Sequence, residues 1–456
     1  MSSRKQQRHG AVKAPAYLIQ RAGTANRLRQ KLAVKQGEKK LCLTMIVKNE
    51  SKIIGRLLDS VKSVIDMVSI VDTGSTDNTE EIILKWGKEN NVPAKVHHEP
   101  FQDFAYNRTH SVRAAKQAFP DADYFLLSDA DFVWDINVKG TFSKILLIDH
   151  KYLISQYNRA LNYWNIRLLS AKVDWECIGV THEYWRETKD QSAYSGEVRT
   201  AKITTLAIDD REDGGAKGDK FERDVRLLTK GLADEKTPKD LKTRYKFYLA
   251  QTLKDMGRNE ESIKYYSDRI LDNGWQEEIY YSYYQVGFNH EQLYWKYNNM
   301  LNLAMKFEQH RGEISPEEYV FWVKQNPTDL TSKDYITMKE THYAKLVEFY
   351  IKAHDFRKTR AEALYNLTRF YRMISKHKEA YDLAKVGKKI PYPEHDTLFI
   401  DRNCHSYLFD FEISIVGFYL PEHKEEARKK IEELLVRTDL PDEIKRTVEH
   451  NSRCFI

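Results

Sequence analysis

The order of apolar runs between residues 41 and 127 constrains this chain more than any other feature. Leu41–Val47 is almost continuously apolar, 50–63 carries apolar residues at helical spacing, 68–71 is apolar again, and Tyr124–Leu127 is a third run ahead of an acidic turn. Short apolar runs alternating with helical segments predict βαβ units and a mostly parallel, Rossmann-like sheet. Ligands of such sheets bind beyond the carboxyl ends of the strands. The residues that close each run are therefore the first candidates for chemistry.

After about residue 230 the apolar period changes from strand-like runs to helical stripes. Tyr245, Tyr248, Leu249, Thr252, Leu253 and Met256 share one stripe, Gly257 and Asn259 break it, and Ile263, Tyr266 and Ile270 begin a second. A comparable pair recurs with Leu364, Leu367, Phe370 and Tyr371, then Ala380, Leu383 and Ala384. These helix–turn–helix units resemble tetratricopeptide-type repeats, although they are out of phase with a strict array of about 34 residues. The expected organisation is a flexible tail over 1–40, an α/β domain over 41–230 and an all-α helical-repeat domain over 231–456. Tyr280, Tyr281, Tyr283 and Tyr284 lie at a spacing that suits a helix core better than an acceptor groove.

Composition narrows the class. The chain has 456 residues, enough for two or three domains, and its 41% hydrophobic content suits a folded protein. Its formal charge of +6 is unevenly distributed. Residues 1–40 hold eleven Lys or Arg against Glu38 alone, so the tail carries +10 and the remainder −4. Any nucleic-acid partner is therefore expected to bind the tail, which also resembles an organellar transit peptide. No apolar stretch reaches the length of a membrane span. Cys42, Cys177, Cys404 and Cys454 are too scattered for a metal site or a disulfide framework, so a cytoplasmic location is expected.

The first run closes in Lys48-Asn49-Glu50-Ser51 and the second in Asp72-Thr73-Gly74-Ser75-Thr76-Asp77-Asn78-Thr79-Glu80. Asp77 and Glu80 have capping-box spacing, which predicts a structural job for Asp77. Asp72 closes its strand, where a carboxylate can accept from a nucleobase or ribose. The third run closes in Ser128-Asp129-Ala130-Asp131, and an Asp-x-Asp pair after a strand supplies hard oxygen ligands for Mg²⁺ or Mn²⁺ and, through the ion, a diphosphate.

Thr44 to Glu50, Val71 to Asp77, Phe104-Ala105-Tyr106-Asn107-Arg108 and Ser128 to Asp131 together resemble the motifs of family-2 glycosyltransferases of the GT-A fold, in the family's order. The resemblance implies an inverting, hexosyltransferase-type enzyme with a nucleotide-sugar donor, UDP by family habit, and a divalent cation. Carried over, Asp72 contacts the base, Arg108 helps hold the nucleotide, Asp129 lies near the ribose and Asp131 binds the metal. Lys48 and Glu50 belong to the same nucleotide-sugar set.

Trp175 to Trp185 includes Gly179-Val180-Thr181-His182-Glu183, which resembles an acceptor-side stretch of relatives with helical repeats. Inversion needs a base on the sugar face opposite the leaving group. Glu183 is the candidate, with His182 beside it and Asp174 as a second possibility; alternatively His182 and Glu183 shape the acceptor loop. Many relatives place a further metal ligand, a His, near a Gly. This chain offers Asp213 before Gly214-Gly215. Lys217, Lys220 and Arg223 follow as candidates to neutralise a departing diphosphate, or as solvated charges on a Gly-rich loop. The acceptor is expected to be a glycan or a protein, and the helical half offers a surface for a protein partner. Two rivals stand beside this expectation: a helical scaffold with a degenerate transferase domain, and a transferase acting on nucleic-acid bases through its basic tail.

Overall fold

The computed structural model describes residues 38–158, 161–188, 196–214, 220–309, 315–325 and 330–455. The basic arm over 1–37, and with it most of the expected nucleic-acid site, lies outside these residues, as does Lys217. The arm's last two cations are held by the domain that follows, Lys39 by Asp123 at 3.6 Å and Lys40 by Asp121 at 2.6 Å. The chain divides into two compact units, Met1–Arg223 and Asp224–Ile456, the boundary in sequence falling within the helix Lys220–Ala233.

The first unit is built on an eight-stranded sheet of order β3-β2-β1-β4-β7-β6-β10-β5. Its strands are β1 (Leu41–Val47), β2 (Met67–Asp72), β3 (Ala94–His98), β4 (Tyr124–Leu127), β5 (Phe132–Ile136), β6 (Lys151–Asn158), β7 (Leu161–Ser170) and β10 (Thr200–Asp210). β8 (Trp175–Ile178) and β9 (Tyr184–Glu187) form a separate antiparallel hairpin. The first four strands of the order are parallel, as the βαβ pattern predicts. β7 then runs antiparallel to both β4 and β6, β6 pairs parallel with β10, and β5 closes the edge antiparallel to β10. A flat sheet would put β5 about 19 Å from β4. Since only a turn over residues 128–131 separates them in sequence, the sheet curls back on itself.

β1, β2 and β4 are buried on both faces, the situation that calls for continuous rather than alternating apolar residues. Leu41, Leu43 and Met45 face one layer with the helix α1 (Ile54–Val61), which buries Ile54, Leu57, Leu58 and Val61 at i, i+3, i+4 and i+7. Cys42 faces the other layer with Val112 and Ala115 of α3 (Phe104–Ala118). Between them in sequence lies α2 (Thr79–Glu89). The result places the carboxyl ends of β1, β2 and β4 side by side.

The second unit is helical. α5 (Lys239–Asp255) and α6 (Asn259–Leu271) form the first expected helix–turn–helix, broken where Gly257 takes φ 73°. α10 (Glu362–Met373) and α11 (His377–Gly387) form the second. Between the pairs, α7 (Gln276–Gln309) packs against α9 (Ser332–Phe356), a long antiparallel couple that explains why the two short units fall out of phase. Tyr280 and Tyr281 are buried among Phe247, Tyr266 and Tyr350, so the tyrosine cluster is core and not a groove. Among the described residues, no helix is long and apolar enough to cross a membrane.

Candidate active site

The loops after β1 and β2 are sewn together by side chains. Asn49 Oδ1 accepts from the Thr76 amide at 2.7 Å, and Ser75 Oγ accepts from the Asn49 amide at 2.9 Å. Thr79 Oγ1 accepts from the Glu50 amide at 2.8 Å. Asp77 takes the amides of Thr79 at 3.1 Å and Ser51 at 3.2 Å. Its job is structural as expected, but it bridges two loops and makes no capping box with Glu80. Burial alone would raise the Asp77 pKa, yet the hydrogen bonds from Thr79 and Ser51 hold it down to about 2. A depressed carboxylate stabilises the fold above its unfolded pKa of about 4 and loses that contribution as the pH falls through about 2. The unfolding midpoint of D77A is therefore expected to lie below that of the unsubstituted protein at pH 7, with the gap narrowing between pH 4 and pH 2; a gap independent of pH would contradict this.

Asp72 is buried at the end of β2, where its Oδ1 accepts from the amides of Gly74 at 2.9 Å and Ser75 at 2.7 Å. Lys48 is exposed at the end of β1 and Glu50 is half-buried. On the other side of β1, the Asp103 side chain caps α3 by accepting from the Tyr106 amide at 2.8 Å, which orients the helix's second turn. Arg108 on that turn meets Asp129 Oδ1 at 2.6 Å through Nη2 and Glu183 Oε1 at 2.6 Å through Nε. The second oxygen of Asp129 meets Arg167 Nη1 at 3.2 Å. Four alternating charges, Glu183, Arg108, Asp129 and Arg167, thus form one chain across the crevice. Burial would lower the Arg108 pKa, but the Asp129 and Glu183 carboxylates push it well above the usual guanidinium value. The reciprocal balance holds for Asp129: burial would raise it, and Arg108 and Arg167 hold it below the usual carboxylate range.

Asp131 occupies the turn between β4 and β5, and its carbonyl accepts from the Arg211 amide at 3.1 Å. A Cβ placed on Gly214 would stand 3.5 Å from both Asp131 Oδ2 and Glu50 Oε1, so these two carboxylates face the same small space. Asp213, expected as a second metal ligand, is ion-paired with Arg56, a cation that also feels the charge of Asp131. Both its oxygens lie on Arg56 of α1, at 2.7 and 2.6 Å, because the chain leaving β10 passes over that helix. Glu50 is the acid that joins Asp131.

The hairpin β8–β9 carries the acceptor-side stretch. Gly179 at φ 112° and His182 at φ 51° give its loop left-handed turns, costly for a histidine and free for a glycine. The Phe104 amide donates to Val180 O at 3.3 Å, and Thr109 Oγ1 accepts from the Cys177 amide at 2.9 Å, so α3 holds the hairpin. His182 is exposed and Glu183 is turned to Arg108. Trp175 is core, with its indole N–H on Ser170 O at 2.8 Å, whereas Tyr184 is exposed. Asp174 is paired with Lys116 at 2.6 Å. Arg223 lies over the Phe104 ring at 5.0 Å, beside Arg108; Lys220 is exposed at the start of its helix. Burial pushes the Cys42 thiol up to about 12 and raises that of Cys177 as well, which leaves neither as a nucleophile near neutral pH. Arg167, Gln156 and Arg56 are missing from the sequence expectations. A lone arginine inside the apolar stretch Ile166-Arg167-Leu168-Leu169 was the available signal, since such a cation is buried only when paired.

The strand-end loops that converge here fall within residues 42–165, which match the model of glycosyl transferase family 2. The chain carries a family-2 glycosyltransferase domain. The match covers Asp72, Arg108, Asp129 and Asp131 and stops just short of Arg167 and the acceptor-side hairpin. A TPR repeat-containing protein of Synechococcus elongatus is 36% identical over 90 residues, 20% of each chain, so the match spans about a fifth of that relative's length. Among solved structures, residues 1–349 of S. aureus TarS in complex with UDP align at 15% identity and a TM-score of 0.27, covering 67% of this chain and 91% of that one. Glucosyl-3-phosphoglycerate synthase from Mycobacterium tuberculosis, in complex with Mn²⁺ and UDP-glucose, aligns at 17% identity and a TM-score of 0.20, covering 28% and 46%. These structural likenesses are too loose to transfer any residue's role.

Proposed function

We propose that this glycosyltransferase moves a sugar from a nucleotide-sugar donor, a UDP-sugar by family resemblance, to a glycan or protein hydroxyl or amide with inversion at the anomeric carbon. The observation that carries this is the gathering of Asp72, Arg108, Asp129 and Asp131, four residues of the family motifs, at the carboxyl ends of three adjacent strands. Asp72 accepts from the base, and Asp129 accepts from the ribose while Arg108 fixes its carboxylate. Asp131 and Glu50, which face one small space, would supply hard oxygens that suit Mg²⁺ or Mn²⁺. The ion, when bound, offsets the charge of the leaving diphosphate. Arg223, with Lys220 at the mouth, adds cationic stabilisation as that charge develops.

The acceptor atom attacks the anomeric carbon from the face opposite the diphosphate. As that bond forms, the bond from the anomeric carbon to the phosphate oxygen breaks and the electron pair leaves with the nucleotide. The acceptor's proton passes to the Glu183 carboxylate, which Arg108 orients through Oε1. His182 borders the same loop and orients the acceptor. E183Q is expected to lower kcat for transfer by about 10²- to 10⁴-fold. Its donor KM should stay within about threefold, since Glu183 serves the acceptor; an equal loss in donor binding would remove it from this role.

The donor assignment is tested by thermal unfolding with UDP, GDP, CDP and ADP, each with and without Mn²⁺. A ligand at a hundred times its Kd stabilises by about 2.7 kcal/mol, a readily visible shift. UDP with Mn²⁺ is expected to give the largest rise. No rise with any nucleotide would contradict the proposal.

A further inference from the structure

We propose that Arg167 is a positioning residue that holds the Asp129–Phe132 turn in the shape that presents Asp131 to a divalent cation. This rests on the reading of Asp131 as a cation ligand. Arg167 belongs to β7, outside the family match, and is a residue only 8% exposed. A charge so buried is tolerated only where its partners are fixed.

Its partners bracket Asp131 in sequence. Nη1 meets Asp129 Oδ2 at 3.2 Å, and the guanidinium lies 4.6 Å from the centre of the Phe132 ring. Arg167 therefore grips the residue two before Asp131 and the residue one after it. The turn itself is closed by the Phe132 amide on Asp129 O at 3.2 Å.

The grip is anchored behind the site. Arg167 Nη2 donates to Gln156 Oε1 at 2.9 Å, and Gln156 Nε2 donates to Asp210 Oδ2 at 2.9 Å. Asp210 ends β10, and the next residue, Arg211, donates its amide to Asp131 O. Side chains thus fix the turn from the β7 side while the backbone fixes it from the β10 side. Deep burial beneath the turn leaves Arg167 to act through Asp129 and Phe132. Arg108 alone cannot replace it, because Arg108 is shared with Glu183 and touches only Oδ1 of Asp129.

A ligand carboxylate displaced by about 1 Å weakens the arrangement it serves by an order of magnitude or more. Loss of Arg167 should therefore weaken the cation more than the nucleotide. The test measures Mn²⁺ binding by electron paramagnetic resonance of the full chain with saturating UDP, and UDP affinity in EDTA by calorimetry. R167M is expected to weaken Mn²⁺ at least tenfold and metal-free UDP by a clearly smaller factor, since Arg108 still holds Oδ1 of the ribose-side Asp129. R167Q keeps a polar but neutral and shorter side chain and guards against an R167M chain that fails to fold; it should weaken Mn²⁺ at least threefold. R167K, which keeps the charge though not the planar fork, should come within about threefold of the unsubstituted protein. Mn²⁺ affinity within twofold of normal in the folded neutral variants would overturn the proposal, as would an equal fall in metal-free UDP affinity. An unsubstituted protein that binds UDP but no Mn²⁺ would instead overturn the cation reading beneath it.

Discussion

Replacing Asp131 by alanine is expected to reduce transfer by at least about 10³-fold while the unfolding midpoint stays within about 2 °C. The loss follows from the role proposed for the carboxylate. A cation that offsets the leaving diphosphate is worth several kcal/mol in the transition state, and about 4 kcal/mol corresponds to a thousandfold. The turn should survive because its backbone closure, the Asp131 carbonyl accepting from the Arg211 amide, is retained by alanine. D213A gives the contrast. Both Asp213 oxygens are committed to Arg56 on a half-exposed pair, so D213A is expected to cost less than tenfold in kcat. Equal losses in D131A and D213A, measured as kcat and donor KM beside a calorimetric midpoint, would return Asp213 to the cation site.

The largest loss of stability is expected in the helical unit, at Glu362. This carboxylate accepts from Arg360 Nη2 at 2.8 Å, from the Tyr280 hydroxyl at 3.0 Å and from the Asp401 amide at 3.1 Å, all in a buried setting. Arg360 is fully buried and also donates to the carbonyls of Leu398 and Phe399, each at 3.0 Å, tying the segment before Asp401 to the helices. E362A leaves that guanidinium without its main counter-charge. Breaking one side of a buried pair costs about 3–5 kcal/mol, which lowers the midpoint of a unit this size by roughly 10 °C. A change below about 2 °C would mean that water or Asp396, which lies 3.7 Å from Arg360, takes over the charge. The double replacement R360M/E362L should recover much of the loss, because an apolar pair leaves no charge buried.

The parts of the fold legible in the sequence are those fixed by local pattern. β1, β2 and β4 are continuous apolar runs, and the break between α5 and α6 is a glycine. The order of β5, β6, β7 and β10 was not legible, since it depends on pairings between residues as distant as Phe132 and Asp210. The same distinction runs through the site. Asp72, Arg108, Asp129 and Asp131 follow strand ends or a helix start and are visible as motifs. Arg167 reaches Asp129 from a strand 38 residues away, and Arg56 captures Asp213 across 157 residues, contacts that no local spacing encodes. Asp77 shows the intermediate case: its structural job was plain from the helix start, while its second partner, Ser51, lies in another loop.

Donor hydrolysis tests the central claim most directly, because slow loss of the sugar to water needs the donor site and cation but no acceptor. The full chain would be incubated with a panel of UDP-, GDP-, CDP- and ADP-sugars, with Mn²⁺ or with EDTA, and free nucleotide measured. The predicted result is release from one UDP-sugar that requires Mn²⁺ and is lost in D131A. Release that persists in EDTA and in D131A would contradict the proposed site.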